Sequence, residues 1–234
     1  TTLFLCGDVM TGRGVDQILP HPGHPRLHEE YARSALRYVE LAEASAGAIA
    51  RPVGFDYVWG DALAELDRLR PDARIVNLET AVTASDDAWF PKEIHYRMHP
   101  ANVGCLSVAA IDCCVLANNH VLDWGRRGLS ETLATLHGAG ILTAGAGANE
   151  DEACAPATVQ VAGGRRILVY AFGLASAGIP PDWAAASDRS GVWCLPDLGE
   201  RSVEAIAARV SAARRAGDIV VASIHWGSNW GYRV

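Results

Sequence analysis

Each of four strand-like apolar runs in this sequence ends in side chains that could bind a metal ion or transfer a proton. The runs begin at Leu3, Ala73, Cys113 and Ile219. The polar residues that follow them are carboxylates, amides and imidazoles: Asp8, Asn77, Glu79, Asn118, Asn119, His120 and His225. Because ligands bind outside the carboxyl ends of the strands in an open α/β sheet, we expect these side chains to form one site.

Two kinds of chemistry are open to such a set. In the first, one or two divalent ions activate water, and the metal ligands are Asp8, Glu79, Asn119, His120 and His225. In the second, no metal is needed, and the general acids and bases are Asp8, Glu79, His120 and His225. The expected cofactor is therefore a divalent metal ion or none. Asp123, which follows closely in the sequence, could orient the imidazole of His120.

A polar and mostly basic stretch from Lys92 to His99 suits an anionic substrate group, although an exposed edge strand would have the same composition. The expected substrate-binding residues come from this stretch, from the strand-end amides and from one tryptophan: Asn77, Asn118, Asn119, Lys92, Tyr96, Arg97 and Trp226. Three further histidines, His21, His24 and His28, lie in a loop rich in Pro and Gly. We expect that loop to be solvated surface rather than a metal site.

Hydrophobic periodicity predicts the elements that hold these residues in place. A helix is expected from Leu27 to about Ala50, and others over 61–69, 128–138 and 200–216. The pair Gly163–Gly164 predicts a hairpin between two short strands. Strands that alternate with helices, plus one hairpin, indicate a layered α/β fold in a single domain over residues 1–234.

Composition excludes several classes of protein. The formal net charge is −7, whereas a nucleic-acid binder would need clustered Lys and Arg. No window reaches the roughly 20 uninterrupted apolar residues of a membrane span. No signal peptide is visible, and the six cysteines form no C-x-x-C pair, which favours reduced core thiols and a cytoplasmic protein.

Taken in order, the strand-end segments resemble the CapA family, named for poly-γ-glutamate capsule synthesis and related to calcineurin-like metallophosphoesterases. The matching segments are Gly-Asp-Val-Met at 7–10, Asn-Leu-Glu-Thr at 77–80, Leu-Ala-Asn-Asn-His-Val-Leu-Asp-Trp-Gly at 116–125 and His-Trp-Gly at 225–227. The resemblance implies an α-β-β-α metallophosphatase-like sandwich with the site at the strand ends. It also leads us to expect that the C-terminal part of the fold lies beyond residue 234.

The sequence departs from the phosphoesterase pattern that this resemblance brings with it. Met10 stands where Asp-x-His would place a histidine, and a thioether is a poor ligand for hard dications. Glu79 replaces the usual bridging Asp, and Asn119–His120 lacks the preceding Gly. The final Gly-His-x-His element is absent from the sequence. These departures do not support a complete dinuclear metal centre.

The resemblance implies an enzyme that acts on a peptide or a γ-glutamyl substrate by acid/base or metal-assisted chemistry. Three alternatives stay open: a metal-independent Cα epimerase of lasso-type peptides, a metal-dependent phosphoesterase, and a non-catalytic accessory subunit of poly-γ-glutamate synthesis. The expected partner is the peptide or polyglutamate chain, with no nucleic acid and no membrane span.

Overall fold

Strands and helices alternate along residues 1–228, the part of the chain that the computed structural model describes. The strands are β1 (Leu3–Val9), β2 (Ala73–Leu78), β3 (Ala81–Val82), β4 (Arg97–Met98), β5 (Cys113–Val115), β6 (Leu142–Ala144), β7 (Ala146–Gly147), β8 (Ala157–Val161), β9 (Arg165–Leu174), β10 (Gly191–Val192), β11 (Cys194–Leu195) and β12 (Ile219–His225). The helices are α1 (Arg13–Ile18), α2 (Leu36–Ala46), α3 (Ala62–Leu69), α4 (Gly104–Ser107), α5 (Gly125–Gly138), α6 (Glu150–Cys154) and α7 (Glu200–Ala213).

The first sheet is parallel, with the strand order β1-β2-β5-β6. Its register is regular except in β1, where Cys6 pairs with Val76 but Asp8 pairs with Asn77. Gly7 is therefore an extra residue in β1, and such a bulge redirects the side chains that follow it. The bulge sets the Asp8 carboxylate beside Asn77 at the edge where the strands end.

The second sheet is built around the long strand β9. β8 pairs with β9 antiparallel, whereas β11 and β12 both run parallel to it. The predicted hairpin is confirmed, because β8 and β9 are joined through Gly163, whose φ of 77° suits glycine. The parallel strand β12 ends at His225, opposite Gly173 of β9.

The two sheets pack face to face, and helices cover their outer sides. The core between the sheets is formed by small and β-branched side chains from both: Ile75, Val115, Ala117, Val159, Ile167 and Val169. On the outer side of the first sheet, Leu129 and Leu136 of α5 share a core with its strands. On the outer side of the second, Ile206 and Val210 of α7 pack against β9. This arrangement confirms the layered α-β-β-α fold.

The helix predicted from Leu27 to about Ala50 is wrong over its first part. Only α2 is helical there, while residues 26–34 form a loop closed by a bridge between Arg26 and Ser34. The reason is tertiary: the Glu29 carboxylate is buried in an ion pair with Arg13, so the loop turns inward instead of continuing as a helix. α2 ends at Gly47, which has a φ of 92°.

Within residues 1–228 no helix is both long enough and apolar enough to cross a membrane. All six cysteines are free thiols. Cys105, Cys113, Cys114 and Cys154 are buried, where cysteine behaves as a small hydrophobe.

An added side chain at Gly145 is expected to destabilise the fold. The φ of Gly145 is +88°, and a Cβ there would lie 2.7 Å from the Cβ atoms of both Ala117, just past the end of β5, and Ala171 of β9. We expect Gly145→Ala to lower the free energy of unfolding by about 2–5 kcal/mol, from left-handed backbone strain and overpacking together. The matched control is Gly140→Ala, at a φ of +76° with no atom within 4 Å, which should cost only about 1–2 kcal/mol. Equal losses in urea unfolding would show that contact between the sheets is not the cause.

Candidate active site

A chain of hydrogen bonds links the ends of the first three strands of the parallel sheet. Asn77 donates through Nδ2 to Oδ1 of Asp8 over 2.6 Å. Asn118, which is fully buried, donates to Oδ1 of Asn77 over 3.0 Å and to the Leu78 carbonyl over 2.9 Å. The sequence-predicted amides Asn77 and Asn118 therefore hold the strand ends together and do not line the cleft described below.

His120 follows this chain directly, and its ring is fixed by Asp123. The His120 amide donates to Oδ1 of Asn118 over 3.0 Å, and the ring Nδ1 lies 2.6 Å from Oδ2 of Asp123. Asp123 is fully buried and also accepts from the amide of Tyr96 and the ammonium of Lys92. Both Asp123 oxygens already act as acceptors, Oδ1 from Lys92 and Oδ2 from the Tyr96 amide, so the Nδ1 of His120 that lies beside Oδ2 is assigned as a proton donor. Nε2 is then left with its lone pair.

Lys92 also contacts both Asp123 and His120. Its Nζ donates to Asp123 and to the Asn119 carbonyl, and lies 3.2 Å from Nδ1 of His120. Burial lowers the pKa of Lys92 against the opposing effect of Asp123. Although the Lys92 stem lines the cleft, its ammonium is directed into the protein, where it balances the Asp123 charge.

A stack of flat side chains sets the plane of the His120 ring. The Tyr96 ring lies on the imidazole with centroids 3.7 Å apart and an interplanar angle of 15°. On Tyr96 lies the guanidinium of Arg13, 4.6 Å from the ring centroid. Arg13 is paired with buried Glu29 at 2.6 Å, and Glu29 also accepts from the hydroxyl of Tyr38. Sequence reasoning missed Arg13 and Glu29; the only local signal was a charged residue between Gly12 and Gly14.

Glu79 faces the free nitrogen of His120. Its Oε1 lies 3.7 Å from Nε2, which is beyond hydrogen-bond distance but short enough for one bound atom to contact both. Burial, followed by a hydrogen bond and charge repulsion from Asp8, raises the pKa of Glu79 to about 8. Burial lowers the pKa of His120, although Asp123 opposes the change. The two environments thus favour a protonated carboxyl beside a neutral imidazole.

His225 reaches the same region from the second sheet. Its Nε2 lies 3.1 Å from Oδ1 of Asn119, and burial lowers its pKa. Because an amide oxygen only accepts, His225 donates and leaves Nδ2 of Asn119 available to the cleft. The next residue, Trp226, is 59% exposed and does not line the cleft.

Of these groups, His120 and Asn119 line a cleft of about 520 Å³, whereas Glu79 and His225 contact them from outside its lining. Its lining comes from the segment around Tyr96, from the strand end at His120 and from the turn after β9: Lys92, Glu93, Ile94, Tyr96, Asn119, His120, Ala175, Ser176, Ala177, Gly178 and Ser228. Arg97, predicted to bind substrate, points away from the cleft and stacks on Trp124 with 4.0 Å to the ring centroid. Consecutive residues of an extended segment face opposite sides, so Tyr96 and Arg97 cannot both line the cleft.

The candidate metal ligands do not fit one ion as they are arranged. Across residues 1–228, no group of three or more His, Cys, Asp or Glu side chains is placed to hold a metal. The donor atoms are engaged with one another instead: Glu79 with Asp8, and His225 with Asn119. Met10, which stands where the phosphoesterase pattern would place a histidine, lines a separate apolar cavity with Val15 and Ile18.

The sequence is similar to known bacterial proteins along almost its whole length. A relative in Mycobacterium tuberculosis, named "Probable polyglutamine synthesis accessory protein", is 50% identical over 99% of this chain in both strain CDC 1551 and strain H37Rv. The "PGA biosynthesis protein CapA" of Bacillus subtilis strain 168 is 27% identical over 96% of this chain. The chain spans 61% of the length of the mycobacterial protein and 48% of the Bacillus protein.

Residues 2–234 match the family described as bacterial capsule synthesis protein PGA_cap. The match covers every strand-end segment that carried the resemblance to CapA, and it confirms that resemblance. The chain therefore belongs to the PGA_cap family of bacterial capsule synthesis proteins.

Proposed function

We propose that the protein acts in the synthesis of a glutamate-type polymer by hydrolysing amide bonds of the polymer or a related peptide, with His120 as general base and Glu79 as general acid. One observation carries the proposal. His120 Nε2 faces Glu79 at 3.7 Å beside a cleft, while Asp123 holds the other ring nitrogen. The printed names of the relatives, polyglutamine synthesis and PGA biosynthesis, support the substrate class.

In the proposed reaction His120 acts first, as a base, and Glu79 acts second, as an acid. Nε2 of His120 takes a proton from water as the water oxygen attacks the amide carbon. The tetrahedral intermediate breaks its C–N bond as the Glu79 carboxyl gives its proton to the leaving nitrogen. The His120 proton then returns to Glu79, so that one water is consumed and one carboxyl and one amine are released. Asp123 keeps its negative charge throughout and stabilises the transient imidazolium.

Asn119 is placed to stabilise the charge that develops on the carbonyl oxygen. Its Oδ1 is held by His225 at 3.1 Å, which fixes the amide plane, and the residue lines the cleft. An amide donor held in advance toward a developing oxyanion lowers the barrier by a few kcal/mol, on the order of 2.7–4.

The 3.7 Å distance between Glu79 and His120 argues against epimerisation by these two residues. An epimerase needs two groups on opposite faces of one carbon, each within about 2.6–3.2 Å of the proton-bearing atom, so the groups must be roughly 5–6 Å apart. Glu79 and His120, at 3.7 Å, are too close to flank a carbon. They can share a water molecule, as hydrolysis requires.

A second candidate function is a non-catalytic accessory subunit that binds the polymer in the cleft. The word "accessory" in the name of the mycobacterial relative favours it. Such a subunit needs the cleft but not the proton-transfer pair. It therefore predicts that polymer binding survives loss of His120 and that no bond is broken.

The decisive experiment is incubation with γ-linked polyglutamate, α-linked polyglutamate and polyglutamine, followed by assay of new amino groups. We expect amino groups to appear with at least one polymer. Binding without new amino groups would favour the accessory subunit. Deuterium uptake at Cα from heavy water, without cleavage, would favour the epimerase.

Metal removal should leave hydrolysis unchanged, because the donor atoms at the strand ends bond to one another and are not arranged around one point. The measurement is the rate of hydrolysis before and after dialysis against a chelator, with elemental analysis of the purified protein. Stoichiometric metal, together with activity lost to the chelator and restored by a divalent ion, would contradict the metal-free mechanism.

A further inference from the structure

A second pocket of about 200 Å³ lies on the other side of the segment that carries Tyr96. It is lined by His24, Arg26, His28, Asp86, Arg97 and Trp124. Because Tyr96 faces the cleft and Arg97 faces this pocket, the two cavities are separated by the extended segment around β4. The loop of residues 21–35, which replaces the first part of the expected helix, forms one wall of the pocket.

The floor of the pocket is rigid. Arg97 stacks on Trp124 at 4.0 Å and donates to the Ser85 carbonyl over 2.7 Å and to Asp86 over 2.9 Å. It also donates to the carbonyl of His24 over 3.3 Å, which ties the loop to β4. The guanidinium is therefore held in place before any ligand arrives.

The rim of the pocket carries positive charge that is not neutralised. Arg26 lines the pocket and Arg33 lies in the same loop; both are exposed, and the guanidinium of neither makes a hydrogen bond or ion pair within residues 1–228. His24 accepts the Arg26 amide at Nδ1 over 3.2 Å, so its Nε2 is the protonated nitrogen and can donate outward. The single acidic side chain that lines the pocket, Asp86, is 87% exposed and already paired with Arg97.

Neighbouring groups respond to this local charge. Burial lowers the pKa of His28, and His95, Arg26, Arg97 and Arg33 lower it further. Even in a chain of net charge −7, such a local cluster of positive charge would attract an acidic chain.

We propose that this pocket is a subsite for carboxylate groups of an extended glutamate polymer whose reacting bond lies in the cleft. The inference rests on the proposed function and narrows its substrate. A γ-linked glutamate chain carries one free carboxylate per residue, whereas a glutamine chain carries none along its length. The unpaired guanidinium of Arg26 at the rim discriminates between the two, so the pocket selects the acidic polymer over the amide form.

The test is the binding of a fluorescently labelled γ-linked glutamate oligomer, measured by anisotropy at low and high salt. We expect Arg26→Glu to weaken binding by about tenfold at low salt and by less at high salt. The matched control is Arg127→Glu, which makes the same charge change at an exposed arginine of α5 outside the pocket. It should change affinity by less than about twofold, because its charge lies away from the bound chain.

Three results would overturn the subsite. Equal effects of Arg26→Glu and Arg127→Glu would show that only net charge matters. Binding of a glutamine oligomer with equal affinity and the same dependence on Arg26 would exclude carboxylate recognition. Stronger, Arg26-dependent binding of inorganic polyphosphate would assign the pocket to a phosphate polymer. Arg26-dependent binding of the glutamate oligomer with no hydrolysis by the unaltered protein would uphold the subsite while the proposed function fails.

Discussion

His120→Ala is expected to lower the rate of amide hydrolysis by about 10²–10⁴-fold, the range that a positioned general base contributes. The loss should appear in kcat, because the cleft and its remaining lining stay in place to bind substrate. Asp123 keeps its bonds to Lys92 and to the Tyr96 amide, so the variant retains the buried ion pair. Circular dichroism and urea unfolding should show a folded protein.

His137→Ala is the matched control, since His137 is exposed on α5 and bonds only to the hydroxyl of Thr143. It should hydrolyse at the rate of the unaltered protein. Glu79→Gln should also lose activity, because an amide keeps the shape of Glu79 but cannot supply the proton. Hydrolysis within tenfold of normal in His120→Ala would refute the assignment of the base.

Local sequence patterns were sufficient to identify part of this site. Asn118, Asn119 and His120 follow a strand directly, and the spacing to Asp123 brings its carboxylate back to the imidazole within one turn of chain. Such contacts depend only on short-range geometry. For that reason, the sequence was enough to predict the strand ends and the carboxylate of Asp123 that orients His120.

Sequence patterns did not predict the long-range contacts of the site. Arg13 and Glu29 meet Tyr96 only after the loop of residues 21–35 folds inward, and helical periodicity in that region pointed to a helix instead. The role of Lys92 was hidden for a related reason. A lysine in a basic stretch suggests a surface group that binds anions, and only the tertiary fold places Asp123 beside it.

The departure of Met10 from the phosphoesterase pattern can be related to the contacts of Asp8. With the thioether in an apolar cavity, the carboxyl of Asp8 is left to interact with Asn77 and Glu79. Burial and the neighbouring Asp8 raise the pKa of Glu79 to about 8, which favours a protonated carboxyl at this position.

Asp123→Asn should be the most destabilising conservative change in the site, with a loss of about 3–5 kcal/mol in the free energy of unfolding. Asp123 is fully buried and accepts from Lys92, His120 and the Tyr96 amide. An amide in its place has one oxygen and one NH₂ group, so at least one donor would face another donor. The Lys92 ammonium would then be buried without a counter-charge. Urea unfolding measures the loss, and Asp86→Asn, at an ion pair in which Asp86 is 87% exposed, should cost less than about 1 kcal/mol.

A double variant that removes the charges of both Lys92 and Asp123 tests whether the stability lost by Asp123→Asn comes from the unpaired Lys92 ammonium or from the change of side-chain shape. Lys92→Met combined with Asp123→Asn leaves no buried ion, and Met fills a similar volume with an adaptable chain. If unpaired charge is the cause, the double variant should recover at least about half of the stability lost by Asp123→Asn alone. It should still lack hydrolytic activity, because an amide at position 123 cannot stabilise the imidazolium of His120. Additive losses from the two substitutions would instead show that Lys92 and Asp123 contribute independently, and the balance of charge beneath His120 would not be what holds the site together.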